Sequence, residues 1–100
     1  MKLQMYSINF EASEQLNAFI QQRVNKLETF YDRIIDGEVF IKDNDSQSGT
    51  DNKEVEIRLF VPGTTLFSQE TASSFEAAAD AAVDAMRRQL KRHKEKQATH

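Results

Sequence analysis

The run from Val55 to Val61 constrains the fold more than any other stretch of the chain. Val55, Ile57, Leu59 and Val61 alternate with Glu54, Glu56, Arg58 and Phe60. Successive side chains of a strand point to opposite faces, so this strand has one apolar face and one mostly polar face. A sheet built on it needs something to cover its apolar side. Two helical segments are available. Ser13 is placed to cap the first, its hydroxyl accepting from an exposed N–H of the opening turn. Leu16, Phe19, Ile20, Val24, Leu27 and Tyr31 then recur at helical spacing as one face, and Asp36-Gly37 ends the segment. Ser73 followed by Glu76 makes a capping-box signature for the second. Phe75, Ala78, Ala79, Ala82, Val83, Met86 and Leu90 hold one face of that long helix, and the alanines point to close packing against a neighbour.

The remaining strands are shorter signals. Residues 2–10 read as a strand from Leu3, Met5, Tyr6, Ile8 and Phe10, although the alternation slips mid-run. Val39 and Ile41 lie opposite Phe40 in another. Pro62-Gly63 turns the chain into a fourth strand over residues 64–70. Residues 44–53 are polar throughout and read as a flexible hairpin loop. The order is strand, helix, three strands, helix. Short turns make the last three strands an antiparallel meander, and two helices with one apolar stripe each belong on the same sheet face. The expected fold is therefore a two-layer α+β sandwich, β-α-β-β-β-α, with a four-stranded sheet. At 100 residues it forms one domain spanning the chain.

Several functional classes are disfavoured. No apolar run approaches the roughly 20 residues of a membrane span. The start, Met1-Lys2-Leu3-Gln4-Met5, is not a secretory signal, because its apolar stretch is too short. Zero cysteines exclude disulfides, thiolate metal sites and a cysteine nucleophile, and fit a reducing cytoplasm. Asp43, Asp45, Gln47, Asp51 and Glu54 match part of a calcium-loop register, but Gly49 falls one place late for its sharp turn and the flanks read as strands. An acidic hairpin loop is the better reading. His93 and His100 make no ligand pair, so no metal and no cofactor are expected; a protonated His93 would add positive charge to its surroundings. No catalytic constellation or site for a small-molecule substrate emerges, and most carboxylates fall where they should be solvated.

Charge is distributed unevenly. The net charge is −3, yet residues 87–96 alone carry +5 and the other ninety carry −8. Arg87, Arg88, Lys91, Arg92, Lys94 and Lys96 supply the positive charge, with Glu95 the one acid among them. A helix over residues 74–97 would be about 36 Å long at 1.5 Å per residue. A four-stranded sheet is about 19 Å across and its strands about 20–25 Å long. Leu90 is the last sizeable aliphatic residue, so the part of the basic end (residues 87–97) that follows it should project beyond the sheet. On a helical wheel Arg87, Lys91 and Lys94 fall on one flank of the apolar stripe, and Arg88, Arg92 and Lys96 on the other. Helix-dipole compensation uses cations only in the final turn. Arg87–Lys91, Arg88–Arg92 and Arg92–Lys96 are like-charge pairs four residues apart, each costing a few tenths of a kcal/mol. A phosphate backbone would turn that cost into a gain by releasing counterions. Arg23 and Lys26 lie at the edge of the first helical stripe. They either snorkel, with apolar stems buried and charges in water, or reach the same ligand.

Two segments carry a resemblance: Lys26-Leu27-Glu28-Thr29-Phe30-Tyr31-Asp32-Arg33-Ile34, and Arg88-Gln89-Leu90-Lys91-Arg92-His93-Lys94-Glu95-Lys96. With the element order, they make nearly the whole chain resemble the ribosome hibernation-promoting factors, also described as sigma-54 modulation or ribosome-associated inhibitor proteins. Ending soon after the helix, the chain resembles the short type. The resemblance implies a double-stranded-RNA-binding-like fold and a cytoplasmic, ribosome-associated translation inhibitor. It implies binding to 16S rRNA of the small ribosomal subunit, between head and body, where mRNA and tRNA pass, in stationary phase or stress. The bound ribosome either stays a monomer or is paired into an inactive dimer, and pairing would call for a second factor. Carried over by position, the implied rRNA contacts are Arg23, Lys26, Arg88, Lys91, Arg92, Lys94 and Lys96; Arg87 joins them on charge alone. Ala85 stands where the family often has a lysine, and Glu76 where it often has a tyrosine. The alternatives are a general double-stranded-RNA module and a protein-interaction module with a basic helix.

Overall fold

The computed structural model describes residues 1–44 and 52–98. The elements run β1 (Lys2–Ile8), α1 (Glu14–Asn25), a 3₁₀ turn (Lys26–Thr29), β2 (Asp36–Asp43), β3 (Lys53–Val61), β4 (Thr64–Ala72) and α2 (Phe75–Ala98). The strands form one mixed sheet in the order β1-β2-β3-β4. β1 pairs parallel with β2, as a strand–helix–strand crossover allows, and the two later pairs are antiparallel.

The alternation in β3 sets the inner face. Val55, Ile57 and Leu59 are fully buried, and in register beside them on β2 lie Ile41, Val39 and Gly37. Ile20 and Val24 of α1 join the same apolar cluster, with Ala78, Ala79, Ala82, Met86 and Leu90 of α2. Both helices therefore cover one face, as the apolar stripes require. The slip in β1 has a physical cause: Leu3 and Met5 pack inward, while Tyr6 turns outward and stacks on Phe40 with ring centroids 5.0 Å apart.

The two glycines among the described residues, Gly37 and Gly63, differ in kind. Gly63 has φ +89°, a left-handed conformation suited to the third residue of a tight turn after a proline. Gly37 instead marks close packing. It does not end the first helical segment but lies in β2, and a Cβ there would sit 2.8 Å from Leu59 Cδ2 and 3.0 Å from both Leu3 Cδ2 and the Arg58 carbonyl.

Other boundaries also differ from the sequence reading. Phe10 lies beyond β1 and stacks on Phe75 at 4.7 Å. β4 extends to Ala72. Ser13 does cap α1, accepting from the Leu16 N–H at 3.1 Å. The cap of α2 is Ser74 rather than Ser73, its hydroxyl accepting from the Ala77 N–H at 3.1 Å. A capping box needs an acid or amide three residues after the cap, and that place holds Ala77. The apolar stripe of the first helical segment spans three conformations: α1 stops at Asn25, the 3₁₀ turn carries Leu27, and Tyr31 follows it.

Lys53 belongs to β3, its ammonium 2.9 Å from Asp43. The Asn44 N–H donates to the Asn52 carbonyl at 2.9 Å. Asp45, Gln47, Gly49 and Asp51 of the calcium-like register lie outside the described residues. Asp43 and Glu54 are strand residues with cationic partners.

The outer face of the sheet is less open than its polar residues imply. Glu54 and Glu56 are buried. Lys42 lies 3.3 Å from Glu54 and 3.9 Å from Glu56, and Arg58 lies 2.8 Å from Glu56. The Gln69 amide donates to Glu54 at 2.8 Å. The Arg58 guanidinium also lies over Phe40, 4.9 Å from the ring centre. Burying a carboxylate is costly unless it is paired and hydrogen-bonded, and here both are.

The close packing at Gly37 yields a prediction. Gly37→Ala should destabilise the fold by about 1–3 kcal/mol, because the added methyl meets backbone as well as side chains. Urea unfolding followed by circular dichroism should show a lower midpoint with an unchanged slope. An unchanged or raised midpoint would disprove the close-approach account.

Candidate nucleic-acid interface

α2 lies on the sheet by its small residues. Ser68 of β4 donates its hydroxyl to the Ala82 carbonyl at 2.9 Å. Further along, the Gln89 side-chain amide both accepts from the Phe67 N–H and donates to the Phe67 carbonyl. β4 is an edge strand, and this clasp occupies backbone groups that a foreign strand could otherwise use. Leu90 is the last fully buried residue of the helix. Beyond it Lys91, Arg92, Lys94 and Lys96 are all exposed. The basic end does outlast the core.

The cations lie in two banks. Arg87, Arg88, Lys91 and Lys94 line a cleft of about 500 Å³, whose other wall is Thr29 and Phe30 from the 3₁₀ turn and its end. Arg92 and Lys96 lie on the opposite side of the helix, beside Gln89, His93 and β4. Arg88 therefore belongs with Arg87, not with Arg92 and Lys96 as the helical wheel placed it. Asp84 gathers the two arginines, with one carboxylate oxygen 2.8 Å from Arg87 and the other 2.6 Å from Arg88. Among the described residues, no ion pair engages Lys91, Arg92 or Lys94.

The first helix contributes unequally. Lys26 lines a shallow groove with Gln22, Asn25 and Thr29. Thr29 is shared with the basic cleft, so Lys26 adjoins that cleft, and the Thr29 hydroxyl donates to the Lys26 carbonyl at 2.7 Å. Arg23 lies apart. Its guanidinium is over the Phe19 ring at 4.8 Å, and its Nε is 3.7 Å from Asp80 of α2. The half-exposed guanidinium is thus held between an aromatic ring and an acid of α2, apart from the basic cleft.

Two neighbours of the cleft carry weight that periodicity did not assign. Arg33 lines the adjoining groove with Lys94. Phe30 is 45% exposed and stands at the cleft wall. Both lie in the segment after α1, where the tightened turn ends the helical period. The Phe30 and Tyr31 N–H groups both donate to the Leu27 carbonyl. Tyr31 packs inward with its ring edge-on to His93, the centroids 5.4 Å apart. His93 is thus engaged from the core side. Among the described residues no group of three histidine or carboxylate side chains could hold a metal ion. No described helix is long and apolar enough to cross a membrane.

A cationic helix end with a cleft at its base can hold phosphates without reading sequence. Known proteins give that geometry a context. The backbone superposes on a ribosomal subunit interface protein from Coxiella burnetii with a TM-score of 0.84 over 95% of this chain and 99% of that one, at 19% identity. It superposes on the N-terminal domain of Thermus thermophilus Protein Y with a TM-score of 0.78, at 22% identity and 93% and 99% coverage. The Escherichia coli ribosome hibernation promoting factor is 30% identical over the full length of both chains. The Pseudomonas putida protein of the same name is 29% identical over 97% of this chain and 90% of its own. A ribosome hibernation promotion factor of Deinococcus radiodurans is 28% identical over 92% of this chain, which spans only half that relative's length. Residues 3–98 match the family model for Sigma 54 modulation protein / S30EA ribosomal protein. The chain belongs to that family.

Proposed function

We propose that this chain is a ribosome-binding hibernation factor that silences translation by occupying the small subunit. It grips 16S rRNA in the mRNA and tRNA channel and blocks that path sterically, working in the cytoplasm on idle ribosomes in stationary phase or stress. The observation that carries this reading is the two-banked cationic end of α2, extending past the last buried residue while the rest of the chain is acidic. The names of its relatives support the ribosome as the partner. Lys26, Arg87, Arg88, Lys91, Arg92, Lys94 and Lys96 are the proposed phosphate contacts, and Arg23 contributes from one side while holding Asp80. Pairing of the silenced ribosomes would fall to a second factor.

Lysine and arginine contacts to phosphate release counterions, at about 0.7–0.9 units of log–log salt slope per contact. Four or more contacts predict a slope of about 3 or steeper. Wild-type protein should co-sediment stoichiometrically with purified small subunits at low salt and dissociate as salt rises. A variant carrying Lys91→Glu, Arg92→Glu, Lys94→Glu and Lys96→Glu should remain in the supernatant with an unchanged circular dichroism spectrum. Wild-type protein that never pellets would defeat the ribosome reading. Free A-form duplex that competes as well as subunits would favour a general duplex-binding module, and capture of a protein partner that survives nuclease would favour an interaction module.

Asp84 generates a separate expectation. Exposed ion pairs of this kind contribute about 0.2–1 kcal/mol each. Asp84→Asn should cost little stability while removing a negative charge from the cleft rim. RNA affinity at low salt should rise several-fold, measured by fluorescence anisotropy on a labelled oligonucleotide. A fall in affinity with the fold intact would mean that Asp84 positions the two arginines rather than restraining them.

A further inference from the structure

Among the described residues four large apolar side chains are exposed: Tyr6, Phe30, Ile35 and Phe67. Tyr6 stacks on Phe40, and Phe67 faces the Arg58 guanidinium at 6.0 Å. Both belong to the outer sheet face. Phe30 is different in its surroundings. Among the described residues its one ring contact is the Arg87 guanidinium, 5.8 Å from the ring centre. The ring stands in the wall of the basic cleft, facing Lys91 and Lys94 across it, with Thr29 beside it.

An exposed aromatic ring is unremarkable by itself. An exposed ring inside a cationic cleft is a different matter, because every nucleobase has a π-face and every nucleotide a phosphate. Proteins that hold unpaired nucleotides combine these two elements: a basic track for the backbone and an aromatic or guanidinium plane for the base. The cleft volume of about 500 Å³ lies within the range of small-ligand sites, enough for one nucleotide. The local backbone keeps the ring there. Leu27 and Tyr31 are buried on either side in sequence, and the Phe30 N–H is tied to the Leu27 carbonyl at 3.0 Å. The ring is therefore presented outward by an anchored turn.

We propose that Phe30, flanked by Arg87, is a stacking platform for one unpaired base of single-stranded RNA, with Lys91 and Lys94 holding that nucleotide's phosphates. The proposal rests on the RNA-binding reading above and adds a contact that selects unpaired over paired RNA. A base inside a duplex cannot offer its face to the ring without unstacking.

The test uses three variants of the full chain. Phe30→Ala and Phe30→Leu should each weaken binding to small subunits about tenfold, since one base–aromatic stack is worth about that much. The salt slope should stay unchanged, because no phosphate contact is lost. Phe30→Trp should bind within about twofold of wild type. The chain contains no tryptophan, so that variant has a single indole reporter. Its fluorescence should be quenched on saturation with a single-stranded oligoribonucleotide, and far less with the same sequence as a duplex. Wild-type affinity in both the alanine and leucine variants would overturn the platform while leaving the ribosome reading intact. So would an indole emission unmoved at saturation, with saturation established by anisotropy of labelled RNA. If wild-type protein ignores subunits yet the indole is quenched by single strands, the partner assignment fails and the platform stands. Matched thermal melts of all variants separate a binding loss from a folding loss.

Discussion

The close seat of α2 on β3 and β4 is the contact on which the other features depend. Ala78, Ala79 and Ala82 are fully buried, and Ser68, the inward residue of β4 facing them, is small enough to let the helix backbone approach. Its hydroxyl donates to the helix carbonyl at Ala82, so the polar group that a small serine introduces into the interface is satisfied. Larger side chains at these places would lift the helix and change its direction. The direction matters because the helix is about 36 Å long by its residue count, longer than the strands beneath it. With its first half held against the sheet, its second half is aimed by lever action. Met86 and Leu90 extend the contact, Gln89 clasps the edge strand at Phe67, and the helix then leaves the core as a rigid, charged rod.

Electrostatics divides along the same line. The body of the chain carries net −8 and the terminal decade of the helix +5. Part of the acidic charge is paired within the chain. Glu54 and Glu56 are buried under Lys42 and Arg58, Asp80 meets Arg23, and Asp84 holds Arg87 and Arg88. Lys91, Arg92 and Lys94 lie beyond the reach of these acids. The exposed positive potential is therefore concentrated at the distal end of α2, and a polyanion meets the molecule in one orientation. Like charges crowded on one helix cost some intrinsic helix stability, and the packed N-terminal half of α2 offsets that cost.

The inner face was legible in the sequence because burial there obeys simple periods. Val55, Ile57 and Leu59 follow the two-residue period of a strand, and Ala78, Ala82 and Met86 follow the helical one. The outer face was harder to read. Glu54 and Glu56 look solvated in a list of residues, but the cross-strand neighbours Lys42 and Gln69, set by register, cover them. The helix wheel located the basic end, yet it placed Arg88 on the wrong bank because it contains no neighbouring wall. That wall is Thr29 and Phe30, contributed by the end of a 3₁₀ turn and the residue after it, a segment that hydrophobic periodicity merges with α1. Gly37 was misread for a similar reason: Asp-Gly is a turn signal in isolation, and only the close approach of Leu3 and Leu59 explains a glycine within β2.

The cleft between the helix and the 3₁₀ turn also bears on how a sequence-tolerant binder achieves selectivity. Phosphate contacts alone cannot tell one RNA from another, and the acidic body weakens adventitious contacts with all of them. Beyond the base contact proposed for Phe30, discrimination must then come from shape. A rod with cations on two banks matches a surface that presents phosphates on both sides of it, as a channel walled by RNA does and a single isolated duplex does not. Arg92 and Lys96 on the β4 side would be idle against a partner that touched only the Arg87, Lys91 and Lys94 side. The two-sided arrangement thus rewards insertion between two walls over docking on one. In the function proposed above, an insertion that satisfied both banks would also fill the channel, so that binding and obstruction would follow from one geometry.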